Sequence, residues 1–300
     1  MIVFYNSGAV QNYDMINERF KISCEDRLLK TYQKSINFND IFFDRTGILP
    51  KIFNTSHPHP LPLTKNYVPK SFEQICAERA KQLIDTNKVL NVWWSGGIDS
   101  TCIIASIISQ LKNKEQLVIN LTHSSIMESG TIFEKYIRNN FKYKIFSIDE
   151  HKSVNNDELS ISGYLGNHIM GQGSTNHDYS FDKWEMPWQS FIDKHPRMKS
   201  ETIEFISPII NIYPKIETFF DYSRFYLMTI RLHQEIYLYC IRKFRQESFY
   251  NTIDFEQWAI YSKEMPYGKG LMKLPMKNII KDVFFDNHYY NTKKTKGWYN

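Results

Sequence analysis

The feature that most narrows what this chain can fold into is the run "KVLNVWWSGGIDSTCIIASIISQLKN", residues 88–113. A short apolar stretch, "KVLNVWW", ends in Ser95-Gly96-Gly97, and "STCIIASIISQLKN" then repeats apolar residues at helical spacing. A strand of that character is buried on both faces, which demands covering helices. A strand that turns through two glycines into a helix also points backbone N–H groups and a positive helix end at one spot, and such a spot binds phosphate. The glycines let the backbone approach an anion with no Cβ in the way, while Ser95, Ser100 and Thr101 offer hydroxyl donors. Asp99 is the odd member, because a carboxylate beside a polyphosphate is repulsive unless a cation bridges the two. Magnesium resolves that conflict.

The flanks extend the pattern. "SFEQICAERAKQLIDTN" places Phe72, Ile75, Cys76, Ala80, Leu83 and Ile84 near the helical period behind Ser71, an N-cap residue. "EQLVINLTH" reads as a second strand, "GTIFEKYIRNNF" as a helix and "YKIFSID" as a third strand. Alternation of this kind predicts an α/β fold, a parallel sheet flanked by helices. Upstream, "TSHPHPLPLTKNYVPK" favours extended or turn backbone, so a boundary falls near residue 70. The reading is a small N-terminal extension, residues 1–70, and a larger domain, residues 71–300, whose C-terminal part is mostly helical. His57 and His59 sit among prolines, as in a surface linker rather than a metal site.

Composition excludes several classes. Of the 300 residues 42% are hydrophobic and 23% charged, enough for a sizeable globular core. A net charge of +5, with acids mixed among the bases, is weak support for nucleic acid. Cys24, Cys76, Cys102 and Cys240 form no CxxC pair, so their spacing suggests no zinc or iron–sulfur site, and buried reduced thiols are expected. The chain has neither an apolar run of about 18 residues nor the charge order of a signal peptide, so no membrane partner and a cytoplasmic location are expected.

SGGxDS after a buried strand fits neither the Walker nor the dinucleotide pattern. It resembles the PP-loop of the ATP pyrophosphatase superfamily, whose members cleave ATP between the α and β phosphates. A second segment, "SGYLGNHIMGQG", residues 162–173, resembles the SGEGADELFGG segment of the asparagine synthetase family: Ser162, Gly163 and Gly171 match, and Ile169 and Met170 keep apolar character. "IEFISPIIN" echoes a VEARVPFLD-like segment through Glu204 and Pro208. "KGLMKLPMK" followed by "KTKGW" resembles the family's basic tail, where a late lysine contacts phosphate. That role carries onto Lys296, with Lys269 and Lys273 as weaker candidates.

The resemblance covers residues 71–298 and implies an ATP-dependent, AMP-forming amide synthetase. Such an enzyme adenylates a small-molecule carboxylate and lets an amine displace AMP. It implies ATP and Mg2+ as cofactors, with Ser95, Gly96, Gly97, Asp99, Ser100, Thr101 and Gly163 around the phosphates. Leu121 and Thr122, with His123, close the second strand on the edge where ligands bind in such sheets, so adenine or ribose contacts are expected there. His123 serves equally as a helix-cap residue.

Two positions depart from the family. Tyr164 replaces its general-base glutamate, and Asn167 replaces its metal-binding aspartate. Tyr164 has a parallel in β-lactam synthetases, which resemble asparagine synthetases and place a catalytic tyrosine there, held by a glutamate. Glu185 and Glu204 are the candidates to hold it. Asn167 still offers an oxygen to the metal that Asp99 would hold, without the charge, and Asp178 or Asp182 are candidates to assist. No glutaminase nucleophile opens the chain, so the nitrogen is expected from free ammonia, a substrate amine or a separate ammonia-supplying protein. Two other classes fit the same residues: a PP-loop tRNA-modifying enzyme and a nucleotide-binding protein without chemistry.

Overall fold

The computed structural model describes residues 62–64, 67–146, 157–171, 184–194, 210, 216–231, 246–262 and 273–292. The chain divides into two compact units, one made of Thr64–Trp184 with Lys243–Asn300 and the other of Met1–Leu63 with Glu185–Arg242. The first unit holds the sheet. It opens with α1, Phe72–Ile84, whose start is fixed by a capping box: Ser71 Oγ accepts from Gln74 N at 3.2 Å and Gln74 Oε1 accepts from Ser71 N at 3.0 Å. Helix α1 buries Phe72, Ile75, Cys76, Ala80 and Leu83, the face that its spacing predicts.

Strand β1 (Val89–Trp94), helix α2 (Ile98–Gln110), strand β2 (Leu117–Leu121) and helix α3 (His123–Glu128) follow in turn. The helix expected over residues 130–141 is shorter and irregular, a turn at Gly130–Ile132 running into a π-helix at Phe133–Ile137. It leads to β3, Lys142–Ile145. Two further strands complete the sheet: β4, Glu158–Ser162, which ends just before the short helix α4, Gly166–Ile169, and β5, Glu247–Ser248. All five strands are parallel, in the order β3-β2-β1-β4-β5. The expected α/β class holds.

The order has a consequence for ligands. The chain adds β2 and β3 on one side of β1, then returns to lay β4 on the other, so its winding reverses between β1 and β4. In open α/β sheets the crevice outside the carboxyl ends of two such strands is where ligands bind.

Helices α5 (Ile253–Tyr261), α6 (Leu274–Phe284) and α7 (Asn287–Thr292) complete the described part of this unit. Helix α2 packs against both α1 and α6. It is enclosed almost all round: Ile103, Ile104 and Ile107 are fully buried, and so are the polar Ser100, Thr101 and Ser106. An aromatic group locks the neighbouring parts together. Phe72 lies 5.6 Å from Phe255 and 4.7 Å from Trp258, and Tyr250 meets Phe255 at 5.2 Å. Arg79 of α1 donates to the Phe249 carbonyl at 3.3 Å and pairs with Glu247, which fastens β5 to α1.

In the other unit, the helices Trp188–Asp193 and Phe219–Tyr226 pack through stacked rings, Phe191 on Phe219 at 3.6 Å and Trp188 on Tyr222 at 5.5 Å. Among the described residues no helix is long and apolar enough to cross a membrane.

Candidate functional site

Two glycine loops leave the carboxyl ends of β1 and β4, at the reversal of the sheet. The first runs from Ser95 into α2. Gly96 has φ +79°, and a Cβ there would come within 2.5 Å of the Ser125 carbonyl oxygen and 2.8 Å of Glu128 Cβ, so only glycine fits. Its carbonyl accepts a hydrogen bond from Ser129 Oγ at 2.7 Å. Gly97 is different, with an ordinary φ of −75°, and a Cβ on it would meet only Ser95 Oγ, at 3.2 Å. The fold itself makes little demand for glycine at position 97. Its missing side chain leaves the surface of the loop open.

The hydroxyls expected to face phosphate brace the loop instead. Ser95 N donates to Ser100 Oγ at 3.1 Å and Gly97 N to Ser95 Oγ at 3.2 Å, while the two serine hydroxyls lie 3.0 Å apart. Ser100 Oγ and Thr101 Oγ1 both donate to the Gly97 carbonyl, at 3.2 and 2.8 Å. Thr101 is fully buried and accepts from Trp94 Nε1 at 2.9 Å. The donors left over are amides. Gly97 is the N-cap of the 13-residue α2, and no side chain caps it. The first-turn N–H groups of Ile98, Asp99 and Ser100 have no partner among the described residues.

The second loop, Ser162 to Gly166, lies against this helix start. A Cβ on Gly163 would stand 3.2 Å from Ser100 N and 3.4 Å from Asp99 Cβ, and one on Gly166 would stand 2.8 Å from Asp99 Oδ1. Between the two glycines Leu165 is held at φ +74°, a left-handed backbone that costs a non-glycine residue about 1–2 kcal/mol. The resemblance in this segment rests on Ser162, Gly163 and Gly171. Gly166 is not among those matches, although it leaves the room that the Asp99 carboxylate occupies. Tyr164 is half-buried, and its carbonyl accepts from Ser248 Oγ, which ties the loop to β5. Asn167 is exposed on α4, one residue past the glycine at Asp99.

Asp99 is the meeting point. Its carbonyl accepts from the buried Tyr250 hydroxyl at 2.8 Å, and its Oδ2 accepts from Lys273 Nζ at 2.5 Å. Burial pushes the Tyr250 phenol well above its ordinary range, so it stays a donor. Lys273 is only 6% exposed and adopts a left-handed backbone, φ +63°, as the N-cap residue of α6. One turn further, burial draws Lys277 down from its ordinary range. Asp99 Oδ1 is buried without a partner among the described residues.

Among the described residues no three side chains of metal-ligand type cluster. Magnesium held by phosphates keeps most of its shell from them and from water, taking only one or two carboxylates from the protein. A single aspartate with an unpartnered oxygen fits that requirement.

Thr122 lies level with this site at the end of β2, as the N-cap of α3 with His123 as the first helical residue. Leu121 is buried in the strand. Lys296, Glu204, Lys269, Asp178, Asp182, His57 and His59 lie outside the described residues. Glu185 is exposed, and Cys76 and Cys102 are buried free thiols. No family model and no curated protein matches the sequence.

Proposed function

We propose that the protein is an ATP-dependent, AMP-forming amide synthetase of the PP-loop type. One observation carries the reading: the uncapped start of α2, with Asp99 in its first turn, opens at the sheet reversal where the Gly163–Gly166 loop meets it. In the reaction a carboxylate oxygen attacks the α-phosphorus of ATP and the bond to the bridging oxygen of the β-phosphate breaks. An amine then attacks the activated acyl carbon, AMP leaves and one proton is lost from nitrogen. The amides of Ile98, Asp99 and Ser100 hold the departing pyrophosphate, whose charge grows as the bond breaks, so they stabilise the transition state more than the ground state. Asp99, with Asn167 beside Gly166, would hold magnesium, which supplies charge neutralisation. Tyr164, in the loop against Asp99, takes the proton from the amine, and Lys296 adds a cation near the phosphates.

Chromatography of the nucleotide products tests the reaction class. AMP and pyrophosphate are expected, and ADP with phosphate would refute it. Tyr164→Phe separates the two halves. Exchange of labelled pyrophosphate into ATP stays nearly intact, while amide formation falls about 10²-fold, the usual worth of a positioned base. A Phe variant with full amide synthesis removes Tyr164 from the mechanism.

A further inference from the structure

The Asp99–Lys273 pair is poorly built for a structural brace. A buried ion pair offsets its desolvation only when the remaining lone pairs and protons are also bonded. Here Asp99 Oδ1 is buried with no partner among the described residues. Lys273 has three donors, and among the described residues Asp99 is its hydrogen-bond partner, at 2.5 Å, with the amine side chain only 5% exposed. A buried ammonium and a half-buried carboxylate, both under-bonded among the described residues, therefore meet at the start of a helix whose own first-turn amides are uncapped. Side chains on a helix lean toward its N-terminus, so the Asp99 carboxylate and the amine on it lie on the phosphate side of α2.

The charges point the same way. The start of a helix carries roughly half a positive charge, and Asp99 with Lys273 adds nothing net. Such a site is weak for a polyanion while amine and carboxylate neutralise each other. It becomes strong once they separate.

We propose that Lys273 is an exchangeable partner of Asp99. When a polyphosphate settles on the start of α2, the ammonium passes from the carboxylate to a phosphate oxygen, and both oxygens of Asp99 become free for a divalent cation. Anion and cation then favour each other's binding through a single amine. This inference rests on the reading of the first glycine loop as the phosphate site.

Calorimetry with pyrophosphate, with and without magnesium, tests it. Asp99→Asn keeps the shape of the side chain, removes its charge and releases Lys273. Without divalent cations this variant binds pyrophosphate about tenfold more tightly than the wild type, and it loses the wild type's gain from magnesium. Adding Lys273→Met removes the buried amine left unpaired by the first change, so the double variant stays folded by thermal denaturation, and the tenfold gain disappears. Adding Lys273→Arg instead restores part of it. Equal pyrophosphate affinity for Asp99→Asn and Asp99→Asn/Lys273→Met overturns the exchange while leaving the loop as an anion site. Absence of pyrophosphate binding in both the wild type and Asp99→Asn overturns the loop reading and the exchange with it.

Discussion

Two helices start at the same edge of the sheet, α2 after β1 and α3 after β2, and they close their first turns in opposite ways. At α3 the Thr122 hydroxyl accepts from Ser125 N while Ser125 Oγ accepts from Thr122 N, a reciprocal cap that occupies two amides there. At α2 the cap position is Gly97, with no side chain to accept anything. A glycine cap gives up a few tenths of a kcal/mol against Ser, Thr, Asn or Asp, so α2 forgoes a small stabilisation that its neighbour keeps. The registered pairing of Trp94 with Leu121 puts the two strand ends level, so strand geometry does not explain the contrast. A side-chain cap commits amides that an open helix start leaves available to an anion.

The sharpest way to break this contrast is to make α2 resemble α3. Gly97→Asp places an acceptor at the N-cap and a negative charge where phosphate would sit. Affinity for ATP should fall about 10²-fold or more, through occupied amides and charge repulsion, while folding stability rises by a few tenths of a kcal/mol. Calorimetry and chemical denaturation read the two effects separately. Unchanged ATP affinity in a stabilised variant would place the anion site elsewhere.

The next effect tests whether α3 supports the open loop. Gly96 packs against the Ser125 carbonyl oxygen and Glu128 of α3, at a φ of +79°. Gly96→Ala combines left-handed strain with a contact that must be relieved by moving one element, so a loss of about 2 kcal/mol in stability is expected, along with the loss of ATP binding. Denaturation midpoints identical to the wild type would mean that the loop yields without cost.

The parts of this arrangement that sequence could reveal are those set by local pattern. β1, β2, α1 and α2 announce themselves through apolar runs, helical spacing and the Ser71 cap, and the glycine turn between β1 and α2 follows from residues adjacent in the chain. β4 does not, because "ELSIS" alternates serine with apolar residues and becomes a strand by pairing with β1, as Val92 with Ile161 shows. β5 is two residues long and exists through its pairing with β4. The π-helix at Phe133–Ile137 replaces part of a helix that residue spacing alone draws as regular. In the site, the SGGIDS loop was legible as a turn, but the inward direction of the Ser100 and Thr101 hydroxyls was not. That direction depends on the Gly97 carbonyl and on Trp94. Lys273 lies 174 residues from Asp99, and no local rule couples two such positions.

The smallest effect comes from removing the cap that α3 has. Thr122→Ala deletes the hydroxyl that accepts from Ser125 N at 3.3 Å and also bonds Ser124 and Ser125 side chains. The loss should be about 1 kcal/mol, a fall in melting temperature of about 2–4 °C for a domain of this size. Helix α3 is only six residues long, so its amides then turn to water, and its contacts with Gly96 loosen slightly. ATP affinity should stay within about twofold, because a 1 kcal/mol change in a flanking helix reaches α2 only through the Gly96 contact and additivity holds for weakly coupled sites. If the variant instead lost as much affinity as Gly97→Asp, the capped end would itself contact the nucleotide, as expected of Thr122 from its place at the end of β2. The contrast between the two helix starts would then be one of ligand parts, phosphate at one and adenine or ribose at the other.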